Sequence, residues 1–347
     1  MISVIVPCRD EERYIERCLD SIVATTYPID RLEVFVVDGR SHDRTRALVA
    51  MYAARHAWIQ LLDNPRGTAP AALNAGIRRS RGDLVVRMDA HAMYPPDYLS
   101  RLVTALHETG ADNVGGRLVT VASGTSTTAH AIACALSHPL GVGNAHFRIG
   151  ARRRKWVDTV PFGCYRRELF GRVGMFDEEL VRNQDDEFNY RLARHGGRVL
   201  LDPGIVVRYY ARATLRQLGR TYYQYGYFKP LVARKVGGVM TVRQIVPPAL
   251  VASVSTTAAA AVADPGVAPL LGLVVGGYLT VLLAGGLRAA PGVGPRFLFA
   301  LLAAFSTLHV SYGFGFLRGL WDLAVGHRRE GNRSPVVYGV DIGHSRD

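Results

Sequence analysis

Three stretches near the carboxyl end carry no Lys, Arg, Asp or Glu: Gln244 to Ala263 for 20 residues, Pro265 to Leu287 for 23, and Phe297 to Leu317 for 21. A helix crossing a bilayer needs roughly 20 predominantly apolar residues, and each stretch reaches that length. All three are rich in Ala, Gly, Ser and Thr, a composition that buried helices of a soluble protein also show. Three in succession favour membrane helices, in which small residues let backbones pack closely. The expectation is a sizeable front domain with a membrane-embedded end, in 347 residues of which 48% are hydrophobic.

The boundaries read as a catalytic domain over 1–212, amphipathic interface helices over 213–243, about three transmembrane helices over 244–326 and a polar tail over 327–347. Met1 to Cys8 is short, lacks a basic leader and reads as a strand rather than a signal peptide. The front domain is therefore expected in the cytoplasm, with the chain a multi-pass protein of the cytoplasmic membrane. Arg234, Lys235 and Arg243 ahead of the first span fit the positive-inside rule. Three spans would put His327-Arg328-Arg329 on the far side against that rule, so a re-entrant or fourth short segment within 297–325 is the alternative.

The net charge of +13 reads as scattered Arg without the aromatic-interleaved basic stripe of a nucleic-acid binder, so no nucleic-acid partner is expected. Arg152-Arg153-Arg154-Lys155 reads either as a solvated loop or as a holder of phosphates or anionic headgroups. Cys8, Cys18, Cys134 and Cys164 show neither metal nor redox spacing, which predicts reduced, buried thiols. Between Arg220 and Lys229 aromatic and basic residues alternate, predicting a helix over 214–236 that lies in the membrane interface, or else a plain core helix.

Ahead of this, strands over 2–7, 32–37, 58–62 and 83–88 alternate with helices over 11–24, 41–56 and 70–80, the pattern of a mostly parallel α/β sheet covered on both faces. A helix follows Pro95-Pro96, and 112–158 reads as a less regular mixed sheet with long loops. Ligands of such sheets sit beyond the carboxyl ends of the strands. Pro7, Asp38 and Asp89 occupy those ends, so one cleft can collect them.

The segment Asn183-Gln184-Asp185-Asp186-Glu187 holds more acid than a helix start needs, and Asp89-Ala90-His91 ends an apolar strand. Asp89 and His91, two apart on extended backbone, can bracket one ion while Ala90 faces away; a neutral imidazole shifts the preference toward Mn²⁺ over Mg²⁺. Together they point to an enzyme that activates a hydroxyl beside a metal-bound phosphate. A nicotinamide dehydrogenase is disfavoured, because the first strand leads to Pro7-Cys8-Arg9-Asp10-Glu11 rather than to a Gly-rich phosphate turn.

In this order, Val4 to Glu11, Val36 to Ser41, Asp89-Ala90-His91 and Gln184 to Glu187 resemble the family 2 glycosyltransferases of the GT-A fold. The Asp-Gly-Arg-Ser and Asp-Ala-His forms most resemble the succinoglycan-type membrane glucosyltransferases. The resemblance spans roughly the first 230 residues and implies a Rossmann-like domain followed by membrane helices. It implies a nucleotide on Pro7, Arg9, Glu11, Asp38 and Asp89, a divalent Mn²⁺ or Mg²⁺ on Asp89 and His91, and Asp185 as the base, with Asp186 as its alternate. Arg9 stands where relatives often carry Tyr, and His91 where they carry a second Asp. The base should be outside any ion pair, its pKa raised by Asp186 and Glu187.

Gln217-Leu218-Gly219-Arg220 is similar to the Gln-x-x-Arg-Trp motif of processive synthases, but Thr221 replaces Trp, which implies addition of one sugar. Gln217 and Arg220 are then candidate phosphate contacts, and Phe162 and Tyr165 candidates for the acceptor border. The implied activity is inverting transfer from a nucleotide sugar, UDP-sugar favoured, to a lipid-linked glycan acceptor. The alternatives are a polyprenyl-phosphate sugar synthase and a non-catalytic membrane scaffold with this fold.

Overall fold

A computed structural model describes residues 1–237 and 241–326; the tail expected over 327–347, with His327-Arg328-Arg329, lies outside the described residues. The front half runs β1 (Ile2–Cys8), α1 (Ile15–Val23), β2 (Leu32–Asp38), α2 (Thr45–Arg55), β3 (Ile59–Asp63), α3 (Ala69–Arg79), β4 (Leu84–Arg87), β5 (Ala92–Met93), α4 (Tyr98–Thr109) and β6 (Asn113–Val121). Then come α5 (Thr127–Ala135), α6 (Pro139–Val142), α7 (His146–Ile149), β7 (Lys155–Trp156), β8 (Cys164–Arg166), α8 (Leu169–Arg172), α9 (Gln184–Arg194) and β9 (Val199–Tyr210). Four long helices close the described chain: α10 (Leu215–Val236), α11 (Val242–Ala263), α12 (Ala268–Ala289) and α13 (Pro295–Ala324).

The sheet has nine strands in the order β3-β2-β1-β4-β8-β6-β9-β5, with β7 paired to β9. Strands β1 to β4 are parallel, and β8 runs antiparallel to both β4 and β6. Ile2, Val4, Ile5 and Val6 of β1 are fully buried, each worth roughly 1.5–3 kcal/mol of apolar transfer. Helix α1 buries Ile15, Cys18, Leu19 and Ile22 at helical spacing, the stripe its sequence predicts. Register sets Cys8 beside Asp38 and Ile5 beside Arg87, so the loops after β1, β2 and β4 all leave from one sheet edge.

By its internal contacts the chain forms two units, one of residues 1–116 and 153–207, the other of residues 117–152 and 208–326. The expectation of a mixed sheet over 112–158 holds only at its ends. Its middle is helical, and α5 joins Leu218, Leu282, Leu301, Phe305 and Leu308 in the core of the second unit through Ala131, Ile132 and Ala135. Leu118 to Phe147 is a 30-residue run without charge, so apolar packing rather than strand alternation decides its structure.

Three helices of the second unit, Val242–Ala263, Pro265–Ala289 and Pro295–Ala324, are long and apolar enough to cross a membrane. They expose Val262, Leu273 and Phe299, surface that hydrocarbon would cover. Helix α13 is continuous over 30 residues, roughly 45 Å at helical rise, so no re-entrant break interrupts 297–324. Helix α10 packs along α13 through glycine: a Cβ on Gly315 would come within 2.0 Å of the Tyr223 carbonyl oxygen, and one on Gly319 within 2.2 Å of that of Tyr227. Gly315-x-x-x-Gly319 is a small-x-x-x-small helix interface. The α13 glycines thus receive the α10 backbone at Tyr223 and Tyr227, while the Tyr223 side chain itself is 39% exposed.

Candidate active site

The first unit gathers its charged loops at the carboxyl ends of β1, β2 and β4. Arg87, the last residue of β4, donates through Nε and Nη2 to Asp89 Oδ1 at 3.0 and 2.9 Å, and through Nη1 to Asp185 Oδ2. One guanidinium thus binds the two carboxylates that the sequence separates by nearly a hundred positions. Asp185 reaches it from the first turn of α9. Burial opposes the charge on Arg87, but Asp185 and Asp89 more than offset this and raise its pKa.

Asp185 has a raised pKa, first because it is buried and further because Asp89 and Asp186 are near; Arg87 works the other way. Its Oδ1 is buried without a hydrogen-bond partner. The side chain as a whole is 21% exposed, but that exposure does not lie at Oδ1. Glu187 has another role: it grips Arg191 at 2.7 and 2.8 Å, and Arg191 donates to the carbonyls of Val173 and Met175. That pair fastens the loop ahead of α9.

Asp89 is fixed by Tyr94, whose hydroxyl accepts from Asp89 N at 2.6 Å and donates to Asp89 O at 3.2 Å. His91 Nδ1 lies 3.0 Å from Glu11 Oε1. With Nδ1 donating to that carboxylate, Nε2 carries the lone pair, the arrangement by which a carboxylate orients a metal-binding imidazole. Among the described residues no group of three or more His, Cys, Asp or Glu converges. Asp89 and His91, the pair expected to hold a divalent cation, are thus two candidate ligands and not a complete protein site; phosphate and water would have to supply the remaining oxygens.

Asp38 is 2% exposed and holds the turn after β2: Ser41 Oγ donates to Oδ1 at 2.5 Å, Ser41 N to Oδ2 at 3.2 Å, and Arg46 Nη1 stands 3.5 Å from Oδ2. The loop after β1 is laced to the same turn by Asp10 N to Ser41 Oγ, Glu11 N to Thr45 Oγ1 and His42 N to Asp10 Oδ1. Among the described residues four non-glycines have left-handed backbone, Asp10 (φ 53°), Arg40 (62°), Phe162 (53°) and Asn183 (63°). Each belongs to a loop entering or leaving this site, where strain of about 1–3 kcal/mol is held by the surrounding bonds.

Residues 3–174 match the family model described as Glycosyl transferase family 2. The succinoglycan biosynthesis protein ExoA of Rhizobium meliloti is 32% identical over 324 residues, which cover 92% of this chain and 94% of that protein. The chain belongs to glycosyl transferase family 2. As a family 2 glycosyltransferase it is a transferase with the GT-A fold. It is also 28% identical over 242 residues, 67% of this chain and 74% of the relative, to a dolichyl N-acetyl-alpha-D-glucosaminyl phosphate glucuronosyltransferase of Methanococcus voltae. A mannosyltransferase from Pyrobaculum calidifontis, solved with GDP-Man and Mn2+, matches with a TM-score of 0.59 at 23% identity, covering 92% of this chain and 87% of that one. S. aureus TarS with UDP-GlcNAc matches with a TM-score of 0.50 at 16% identity, covering 94% and 92%.

Within this glycosyltransferase the expected residues fall into three groups. Pro7, Arg9, Glu11, Asp38, Asp89, His91, Asp185 and Asp186 all belong to the first unit, and Arg9 lies over Gly67, where a Cβ would come within 2.8 Å of its Nη1. The expectation of a base outside any ion pair is corrected by Arg87: a carboxylate this buried stays ionised only beside a cation. Phe162 and Tyr165 are core residues. Tyr165 packs edge-on against Phe176 and Phe188 at 6.1 and 5.3 Å, and Phe162 is 3% exposed, its carbonyl accepting from Tyr98.

Gln217 and Arg220 belong to the second unit. Gln217 has a local use: its side chain accepts from Ala213 N while its own N–H donates to Thr214 Oγ1, a capping arrangement for α10. Arg220 is exposed. The residue that sequence reading undervalued is Arg87, a charge at the end of an otherwise apolar strand.

Proposed function

We propose that this protein is an inverting, divalent-cation-dependent glycosyltransferase that moves a sugar from a nucleotide diphosphate, a UDP-sugar by preference, to a lipid-linked glycan acceptor in polysaccharide or cell-envelope glycan biosynthesis. It works at the cytoplasmic face of a membrane crossed by α11, α12 and α13. The observation that carries this reading is the Arg87 clamp, which brings the strand-end acid Asp89 and the helix-start acid Asp185 to one cleft.

Pro7, Arg9 and Asp38 bind the nucleoside end of the donor, and Glu11 orients His91. Asp89 and His91 hold the cation, which when bound neutralises charge on the departing diphosphate. Asp185 accepts the acceptor's hydroxyl proton, while Arg87 keeps the carboxylate ionised. The acceptor O–H bond breaks, its oxygen bonds to the anomeric carbon, and the bond from that carbon to the diphosphate breaks on the opposite face, inverting the configuration. A hydroxyl acceptor needs this base; a lipid phosphate acceptor hardly does.

The test is purified full-length protein in lipid nanodiscs, supplied with nucleotide sugars, Mn²⁺ or Mg²⁺, and lipid-linked acceptors bearing either a sugar or a bare phosphate. Acceptor-dependent nucleoside diphosphate release with the sugar-bearing lipid, lost in Asp185→Asn, is the expected result. Equal transfer to a bare lipid phosphate by Asp185→Asn would identify a polyprenyl-phosphate sugar synthase. Turnover unchanged when Asp89, His91 and Asp185 are all replaced would leave the proposed site without a role.

A further inference from the structure

The two units differ sharply in charge. Residues 1–116 and 153–207 hold 24 basic and 24 acidic side chains, whereas residues 117–152 and 208–326 hold 14 basic against two acidic. The formal charge of the described chain is therefore concentrated in the unit that bears the apolar helices, not scattered. Such an excess suits a phosphate-bearing ligand near a lipid surface.

Within that unit Arg148 is unlike the other cations. It closes the charge-free run Leu118–Phe147 and is half-buried on α7. Its guanidinium carbon lies 5.2 Å from the ring centre of Tyr209 and 5.7 Å from that of Phe147. Burial opposes its charge, and the nearby tyrosines Tyr222, Tyr209 and Tyr225 act the other way; among the described residues no carboxylate pairs with it. Nη1 is buried with no hydrogen-bond partner. A buried N–H of a charged group left unmatched is costly, and in a native fold it calls for an explanation.

The surroundings fit one ligand class. Tyr222 and Tyr225 stand edge to face at 5.4 Å on α10, near enough to Arg148 to act on its charge; hydroxyls and a planar cation together are a donor set that grips phosphate oxygens. The run that ends at Arg148 docks on the apolar helices: Leu140 fits against Gly285, and its carbonyl faces His309 Nε2 at 2.7 Å. A phosphate held at Arg148 would belong to the unit that bears the three long apolar helices. We propose that Arg148, with Tyr209, Tyr222 and Tyr225, is a phosphate-recognition site for the lipid-linked acceptor. This rests on the lipid-acceptor reading above.

The experiment is calorimetric titration of full-length protein in neutral-lipid nanodiscs with farnesyl diphosphate and, separately, inorganic diphosphate. Wild type should bind farnesyl diphosphate saturably, and Arg148→Met should weaken it about 10- to 100-fold with UDP-sugar binding unchanged. Arg148→Lys, which keeps the charge but not the fork, should lie between, and Arg216→Ala, at an exposed cation of the same unit, should bind like wild type. Inorganic diphosphate bound as tightly as the prenyl form would reassign the site to free phosphate and overturn the lipid source. A folded Arg148→Met, or Arg148→Lys where the former fails to fold, that binds like wild type would leave Arg148 as a packing residue held by its aromatic neighbours. Failure of the parent reading looks different: wild type would bind farnesyl diphosphate yet glycosylate no lipid-linked acceptor.

Discussion

Arg87 and Asp185 form an ion pair at the carboxyl edge of the sheet, with the same guanidinium also held by Asp89. This cation opposes the burial that raises the Asp185 pKa, and it fixes where both carboxylates point.

Arg87→Met leaves Asp89 and Asp185 facing each other with no cation between them. Removing one partner of a buried pair costs about 3–5 kcal/mol, and the partial exposure of both acids puts the expected loss at the lower end. Arg87→Lys keeps a charge without the fork, so its melting temperature should fall less while kcat drops at least about tenfold. A Met variant that melts and turns over like wild type would remove the clamp from the argument.

Because burial raises the Asp185 pKa and the base must be ionised, kcat should fall as pH drops through a value above the ordinary aspartate range. Arg87→Lys, which weakens the opposing cation, should move that limb to higher pH. Asp185→Asn should lower kcat by about 10²–10⁴ with donor binding retained. The stability sign is opposite to that of a salt-bridged acid: a raised folded pKa favours the protonated form, so this group's contribution declines as pH rises from the ordinary aspartate value to the folded one. Denaturation of wild type and Asp185→Asn across that window measures it.

Chelation should abolish turnover, and added Mn²⁺ should restore it. His91→Ala should raise the metal concentration for half-maximal activity. Glu11→Gln, acting through the orientation of His91, should raise it about 10- to 100-fold. An unchanged metal dependence in both variants would mean that His91 is not a ligand.

Gly315→Leu places a side chain where a Cβ already falls 2.0 Å from the Tyr223 carbonyl. Helices α10 and α13 must separate, at an expected cost of about 1–3 kcal/mol or more. Protease resistance in detergent should drop, while residues 1–116 and 153–207 keep their nucleotide affinity.

Burial pushes the Cys164 thiol up to about 12 and raises Cys18 as well, further helped by Asp89 and Glu11. Thiolate is the reactive form, so iodoacetamide at neutral pH should label neither residue until the protein unfolds. Fast labelling of either in the native state would show that these strands and helices are not packed as described.

Strand and helix positions in the first hundred residues were legible because local hydrophobic period and turn chemistry agree there: β1, β2, β3, β4 and α3 fall within one or two residues of the pattern. Residues 112–158 were misread for the opposite reason. The run from Leu118 to Phe147 has no charged residue to mark a solvent face, so its helices follow from what they pack against, namely Leu301, Phe305 and Leu308. Gln217 was misread because a Gln four residues after an Ala says nothing local about capping until the helix start is fixed.

The sequence by itself determined the family, the strand ends that carry Asp38 and Asp89, the acidic start of α9 and three helices long and apolar enough for a bilayer. These depend on short-range period, length and residue type. Only the tertiary structure decided that Arg87 ties Asp185 to Asp89, that Glu187 serves Arg191, that Glu11 lies beside His91, and that Arg148 lies among tyrosines with no carboxylate partner among the described residues. Pairings across dozens of residues depend on which strand lies beside which, and a charge reveals its partner only once burial removes the water that would otherwise solvate it.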